Sequence, residues 1–385
     1  VRAARVLVVA GEASGDRHAA GLLEKARESV PALSIEGIGG EHLRALGADV
    51  FLDSREIAVV GISEVLERLP AIRRALAEIK RRLREERPDA LLLVDFPDFN
   101  LHVAGVARKL GIPVVYFVSP QIWAWRARRI KQIKQRVSRM IVLFPFERDF
   151  YAREGVPVTF AGHPLADHVS NSRQPAEARR RLGLDPGGPV FGLLPGSRAG
   201  ELARMLEPML DTARVVLEKQ PGAAFLIPVA STVDPEPVYD AAARSGLPVV
   251  ALRHAFDEIA EACDSALVAS GTATLELAVR GVPPVVVYRT SRTTYLIGRM
   301  AVRVPHISLV NLIAERELVP ELIQEDYTAA RAAEELVRLG CPGDARDDVL
   351  EGLREVRARL GPPGAYERAA AAMVEVLETT KESGK

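Results

Sequence analysis

Two cysteines, Cys263 and Cys341, are all that 385 residues contain. They stand far apart, with no His or Cys at ligand spacing, which argues against a disulfide framework or a zinc site and fits a reducing, cytoplasmic compartment. An excess of one charge is missing too, since 51 Lys and Arg balance 51 Asp and Glu. The field of the whole chain therefore draws in neither nucleic acid nor an anionic membrane, and any such contact must come from a local patch. No apolar run reaches the length of a signal peptide or a spanning helix; the first, Val6 to Ala10, is one strand long. The sequence holds no Gly-Lys-Ser/Thr of a Walker loop and no acidic Asp-x-Asp triplet to bind a metal, and Gly11 to Asp16 lacks the spacing of a dinucleotide fingerprint. An initiator Met is absent, as expected of a processed or trimmed chain.

What is present is a rhythm. Short β-branched runs end in Gly, Pro, Ser or Asp and alternate with longer helical patterns: Val6 to Ala10, Ala90 to Asp95, Val114 to Val118 and Met140 to Phe144. Continuous apolar runs of this kind are buried parallel strands, so a doubly wound sheet is expected. From Ala161 to Pro189 the composition shifts to His, Pro, Asn, Ser and Gly, and the rhythm then restarts at Val190. It continues through Ala224 to Pro228, Val249 to Leu252, Ala266 to Ala269 and Val285 to Tyr288. The expected class is α/β, with Rossmann-like domains over residues 1–165 and 175–360, their parallel sheets facing a central cleft. Helical patterns from Ala329 to Leu360 and Ala365 to Glu378 close the chain, and residues 361–385 are expected to pack back on the first domain.

Two second-domain loops suit phosphate. After Leu194 comes Pro195-Gly196-Ser197-Arg198-Ala199-Gly200-Glu201, leading into a helix. Glycine admits a close backbone approach, Ser197 supplies a hydroxyl, Arg198 can fork onto phosphate, and a helix N-terminus favours an anion. A βα turn with a surface Arg would look the same. The second loop, Ser270-Gly271-Thr272-Ala273-Thr274-Leu275-Glu276, again offers small residues and free N–H groups, with Glu276 placed to accept from ribose hydroxyls. The pair favours a sugar nucleotide over ATP or NAD.

In the first domain an apolar run ends in Asp95, which puts a carboxylate at the carboxyl edge of the sheet, where ligands bind in this architecture. Apolar surroundings raise such a pKa toward that of a useful base. Asp98 is either a second sugar contact or a turn carboxylate, and Asn100 is expected to cap the next helix. Gly11-Glu12-Ala13-Ser14-Gly15-Asp16 follows the first strand; Ser14 and Gly15 suit close approach, and Glu12 or Asp16 can bind sugar hydroxyls. Asp16 reads equally well as an acid favoured by the helix dipole. His163, beside Pro164, is expected to serve the linker.

Two segments suit a lipid surface. Val65, Leu66, Leu69, Ile72, Leu76, Ile79 and Leu83 recur at intervals of three and four, opposite a face rich in Arg and Lys. That is the pattern of an interfacial helix and equally of one packed on a core. Trp123 and Trp125 precede a basic run from Arg126 to Arg136, so the indoles fit a headgroup level or an acyl groove and the cations an anionic sugar phosphate.

The stretch from Arg253 through Pro284 is similar to the nucleotide-binding half of inverting GT-B glycosyltransferases. More narrowly, Gly11 to Asp16, Val94 to Asn100, Ser119 to Arg126, Leu194 to Arg198 and Ser308 to Leu312 resemble, in that order, the lipid-A-disaccharide synthases. The resemblance implies transfer from UDP-2,3-diacylglucosamine to 2,3-diacylglucosamine 1-phosphate, with a β-1,6 linkage formed and UDP released. It implies a base at Asp95, the diphosphate on the small-residue loop, the ribose on Glu276, and Asn311 at the cleft. UDP-sugar is then a substrate, no cofactor or metal is expected, and the partner surface is the inner face of the cytoplasmic membrane; a homodimer is compatible with it. The rivals are a UDP-sugar 2-epimerase, for which the first-domain loops lack a dense cluster of acids and His, and a non-catalytic UDP-sugar-binding module.

Overall fold

A computed structural model describes residues 3–57, 62–125, 127–167, 173–291, 295 and 304–383. Contacts divide the chain into one unit of residues 1–167 with 360–385 and a second of residues 168–359. The first unit holds β1 (Ala3–Ala10), β2 (Ala32–Gly39), β3 (Asp49–Asp53), β4 (Ala90–Val94), β5 (Val114–Phe117), β6 (Arg139–Val142) and β7 (Val158–Phe160). These strands pair in parallel in the order β3-β2-β1-β4-β5-β6-β7. Every residue of β4 and β5 is buried, because helices cover both faces of the sheet and leave no polar side for alternation.

The second unit repeats the plan. Its strands are β8 (Val190–Leu194), β9 (Ala224–Val229), β10 (Val249–Arg253), β11 (Ser265–Ala269), β12 (Pro284–Tyr288) and β13 (Glu321–Ile323), parallel in the order β10-β9-β8-β11-β12-β13. In each sheet the strand order reverses once, between β1 and β4 in the first and between β8 and β11 in the second. At such a reversal the crossover helices leave to opposite faces and open a crevice at the carboxyl ends of the two strands.

Helix Ala365–Ser383 belongs to the first unit, packed on helix Ala13–Ser29. Close approach is possible because Gly21 has no side chain: a Cβ there would lie 2.7 Å from the Tyr366 ring. The Tyr366 hydroxyl stands 3.0 Å from Nδ1 of His18, and Lys25 pairs with Glu367 at 3.0 Å. The single helical pattern expected from Ala329 to Leu360 is two helices, Ala329–Gly340 and Asp344–Arg359. Pro342 and Gly343 separate them, since a proline ring clashes with the preceding turn and lacks the N–H that would continue it.

From Ile72 on, helix Ile62–Glu85 packs its apolar stripe against the first core. Ala75, Ile79 and Leu83 are fully buried, and Ile72 and Leu76 are half-buried against the same cluster. Ile72 and Leu76, expected to face the membrane, lean on this core and keep part of their surface exposed. Arg82 does not serve a basic outer face either, because it binds the buried Glu36 at 2.5 Å and lies 4.1 Å over the Phe51 ring. Leu69 is half-buried, and the side chains of Val65 and Leu66 lie outside the described residues.

Candidate active site

Register places the candidate residues of the first unit side by side. Ala10 pairs with Val94, so Gly11 and Asp95 are the next residues beyond β1 and β4, at the reversal of the sheet. Asp95 and Phe96 both take a left-handed backbone, φ 47° in each, and Val118, just past β5, has φ 59°. Non-glycine residues rarely adopt this conformation, a β-branched one least of all, and the cost of about 1–3 kcal/mol each persists only where surrounding contacts impose it. Here they do. The Asp95 carbonyl accepts the Tyr116 hydroxyl at 2.5 Å and Asn100 Nδ2 at 2.7 Å, while the Asp95 N–H donates to Phe117 at 3.3 Å. Asn100 is thus not the expected cap. It lies inside helix Pro97–Lys109, whose N-cap position is Phe96, and it ties that helix back to the end of β4.

The turn leaves the Asp95 carboxyl half-buried at the edge. Burial, followed by the charge of Glu12, pushes its pKa up from 3.8 to about 6. A carboxylate with that pKa is ionised at neutral pH and still basic enough to accept a proton from a hydroxyl. Glu12 is half-buried at the N-cap of helix Ala13–Ser29, Ser14 is exposed on its first turn, and Gly15 is buried against Val94. These residues join Asp95 at one edge.

Asp16 does not. It is buried, with Oδ1 accepting from the Gly40 N–H at 2.6 Å and Oδ2 from the His42 N–H at 2.9 Å, so the carboxylate caps helix Glu41–Ala45. The sugar contact expected of Asp16 is corrected to a structural cap. Asp98 is exposed and pairs with Arg129. Trp123 is half-buried, donating its indole N–H to Glu147, and the side chain of Trp125 lies outside the described residues. His163 is buried; its Nδ1 accepts from the Leu165 N–H at 3.1 Å, and burial lowers its pKa to about 3.

In the second unit the two loops again meet at the reversal, since Leu194 of β8 pairs with Val268 of β11. Gly196 has φ 113°, which an L side chain resists, and its space is filled by Glu201: a Cβ there would lie 2.5 Å from Oε2. Glu201 accepts from the Ser197 N–H at 3.2 Å and pairs with Arg198 at 3.3 Å. An anion therefore already occupies this loop, in the form of the protein's own carboxylate. Ser197 and Arg198 are exposed, and the Ser197 carbonyl is held by Thr232 at 2.5 Å.

Ser270 is half-buried with its N–H on Val287, while Gly271 and Thr272 are exposed at the start of helix Thr272–Val279. Glu276 is half-buried on that helix. Asn311 stands apart, fully buried. It donates to the Val319 carbonyl at 2.9 Å and Glu321 at 2.8 Å and accepts from the N–H groups of Leu318 and Val319. All its bonding capacity is used inside the protein, so its expected place at a ligand is corrected to a strut between helix Leu309–Ala314 and β13. Tyr116, Glu147 and Tyr288 escaped the sequence. The first two are fully buried, and Tyr288 ends β12 near Arg198 and Glu201, where burial raises its phenol pKa. Only the Glu of Phe-Pro-Phe-Glu, an acid just past a buried strand, was visible as the kind of signal that singled out Asp95. Among the described residues no group of three His, Cys, Asp or Glu is gathered to hold a metal ion, and no helix is long and apolar enough to cross a membrane.

Residues 6–357 match the family model of lipid-A-disaccharide synthetase. The chain is 45% identical to the lipid-A-disaccharide synthase of Geobacter metallireducens and 44% identical to that of Myxococcus xanthus, in each case over 97% of both chains. Among solved structures it resembles the calicheamicin glycosyltransferase, with a TM-score of 0.61 at 17% identity over 98% of this chain and 99% of that one. It also resembles the UDP-GlcNAc 2-epimerase of Neisseria meningitidis bound to UDP-GlcNAc, with a TM-score of 0.55 at 13% identity over 97% of this chain and 100% of that one. At these identities the solved structures share the two-domain GT-B fold alone, and the fold by itself does not separate transferase from epimerase. The sequence match does: the chain belongs to the lipid-A-disaccharide synthase family.

Proposed function

We propose that the chain transfers 2,3-diacylglucosamine from UDP to the 6-hydroxyl of 2,3-diacylglucosamine 1-phosphate, forming the β-1,6-linked disaccharide of lipid A biosynthesis and releasing UDP. Beyond family membership, one observation carries the chemistry: a carboxyl with pKa near 6, Asp95, held at the reversal of the first sheet by a strained turn and two side-chain hydrogen bonds. Asp95 takes the proton of the acceptor hydroxyl as its oxygen attacks the anomeric carbon. The bond from that carbon to the diphosphate breaks with inversion, and the electron pair leaves with UDP. No covalent intermediate is needed.

The leaving diphosphate gains one negative charge, on the oxygen freed from the anomeric carbon, and is met at the second unit. Arg198 and the N–H groups of the Ser197 and Gly271 loops are the groups that meet it, and Glu201 yields its place as the diphosphate arrives. Charge neutralisation by these groups makes the reaction independent of a divalent cation. Glu276 binds the ribose, and Glu12 and Ser14 bind sugar hydroxyls. The acyl chains of both substrates bring the protein to the inner leaflet of the cytoplasmic membrane as a peripheral partner.

Acceptor-dependent UDP release tests the proposal. Donor and acceptor together should yield UDP and disaccharide, in EDTA as well as in magnesium. Donor alone should yield neither UDP nor a 2-epimer. Epimer formation without acceptor would favour the isomerase, and activity that dies in EDTA and returns with magnesium would overturn metal independence.

A further inference from the structure

Glu147 is a fully buried carboxylate that the transfer chemistry does not use. It lies in the first turn of helix Pro145–Arg153, directly after β6, with 3% of its surface exposed. Oε2 accepts from the Phe144 N–H at 3.2 Å, which is the ordinary duty of a capping-box glutamate. Capping leaves the other oxygen unexplained. Oε1 points across to the loop after β5, where it accepts from Ser119 Oγ at 2.9 Å and from the indole N–H of Trp123 at 3.2 Å. The Tyr151 hydroxyl, 3.2 Å from Ser119 Oγ, closes the network from the far side.

Three donors converge on two oxygens, an arrangement that only an acceptor-only group satisfies in full. A glutamine would turn an NH2 toward one of them. Burial pushes the Glu147 carboxyl up to about 7, so holding it there costs stability and calls for a return elsewhere. The return is order in the loop it grips. That loop begins with Val118 in its strained left-handed turn, follows the strand next to β4, beyond which Asp95 lies, and carries Trp123. The indole is half-exposed and packs edge-on to Phe146, centroids 4.9 Å apart, with Phe146 stacked on Phe144 at 5.5 Å. A fixed, flat, partly exposed apolar side chain on the loop after the neighbouring strand is what a sugar carrying acyl chains requires.

We infer that Glu147 is a positioning residue for the acylated acceptor: it fixes the Trp123 indole at the carboxyl edge of the first sheet, and the indole receives the apolar part of that substrate. The inference rests on the proposed transfer reaction. Because Glu147 and Trp123 belong to the first unit and the nucleotide loops to the second, the effect should fall on the acceptor and spare UDP.

The test pairs Glu147→Gln with Ser119→Ala, which removes one donor and leaves the carboxylate in place. Trp123 emission is read as the difference between each protein and its Trp123→Phe counterpart. In Glu147→Gln it should be quenched by acrylamide about twice as strongly as in wild type. The acceptor KM should rise about tenfold, the worth of one charge-assisted hydrogen bond. UDP affinity should stay within about twofold of wild type on the same free-energy scale. Ser119→Ala should shift quenching and acceptor KM the same way by less, and it carries the test if Glu147→Gln does not fold. Wild-type quenching and acceptor KM in a folded variant would overturn the inference, as would an equal loss of UDP affinity. Wild-type protein that transfers nothing would sink the reaction, and the acceptor role with it. Quenching would then still decide whether Glu147 holds Trp123.

Discussion

The Phe96 ring lies where a side chain on Gly11 would be: a Cβ at Gly11 would stand 2.4 Å from Cγ of Phe96 and 2.6 Å from Cδ1. Neither atom can yield cheaply. Phe96 is fixed by its left-handed turn and by contact with Phe99, ring centroids 5.4 Å apart, and Gly11 is fixed as the residue that leaves β1. The glycine after the first strand is required by the residue that follows the candidate base. Gly11→Ala should push Phe96 aside and carry Asp95 with it. We expect turnover to fall by about 10- to 100-fold, as for a base misplaced by about 1 Å, while overpacking costs about 1–3 kcal/mol. UDP affinity, measured by calorimetry, should not change; a parallel loss would place Gly11 in the nucleotide site.

Asp95→Asn keeps the shape of the side chain and removes the basic oxygen. Turnover should fall by about 10²- to 10⁴-fold. In wild type kcat/KM should climb about tenfold per pH unit and level off above about pH 6, where the carboxyl becomes ionised.

Stability should move the other way. Below about pH 4 the folded and unfolded chains both hold the Asp95 proton. Between that pH and about 6 the unfolded chain releases it first, so stability falls as pH rises, and above about 6 the full penalty remains. It is on the order of 3 kcal/mol. Asp95→Asn should therefore melt several degrees above wild type in mildly alkaline buffer and level with it in strong acid. Equal melting temperatures across the range would remove the burial that the base assignment relies on.

Much of this was legible in sequence, and the parts that were not share a physical cause. Strands buried on both faces announce themselves as unbroken apolar runs: Val190 to Leu194 was read to the residue, and β4 and β5 to within one. The strands Ala32–Gly39, Asp49–Asp53, Val158–Phe160 and Glu321–Ile323 were missed. The first carries Glu36, tolerable only because Arg82 arrives from a helix 46 residues away; the second is an edge strand with no buried residue, and the last two are three residues long. Asp95 could be found because the acid ends its own buried run. Asp16 and Asn311 sit in equally suggestive motifs but spend their polar atoms on backbone brought by the fold, and local sequence does not say where that backbone comes from.

Arg198 and Glu276 should separate on two ligands. Uridine lacks the charge that Arg198 pairs with, so Arg198→Ala should weaken UDP by about tenfold or more and leave uridine almost untouched. Glu276→Ala should weaken both alike, because both carry the ribose. Calorimetry on the four combinations decides it. Equal losses of UDP and uridine on removing Arg198 would move that side chain away from the phosphates.

The helix Ile62–Glu85 offers the sharpest contrast between an apolar stripe and an interface. Ile72 and Leu76 lean on the core beside the fully buried Ala75, Ile79 and Leu83, so a hydroxyl at either position is forced toward apolar neighbours. Ile72→Ser with Leu76→Ser should lower stability by about 1–3 kcal/mol through lost contact and polar burial, and the melting temperature should drop accordingly. Arg73 and Arg74 are exposed on the same helix. Replacing both by Glu should leave the melting temperature where it was and weaken sedimentation with anionic vesicles. Wild-type binding should fade as salt rises, because the attraction of exposed cations is screened over about 8 Å at physiological ionic strength. A protein that loses vesicle binding through the serine pair without losing stability would restore the stripe to the membrane. One that sediments equally well with both arginines reversed would take this helix out of the interface altogether.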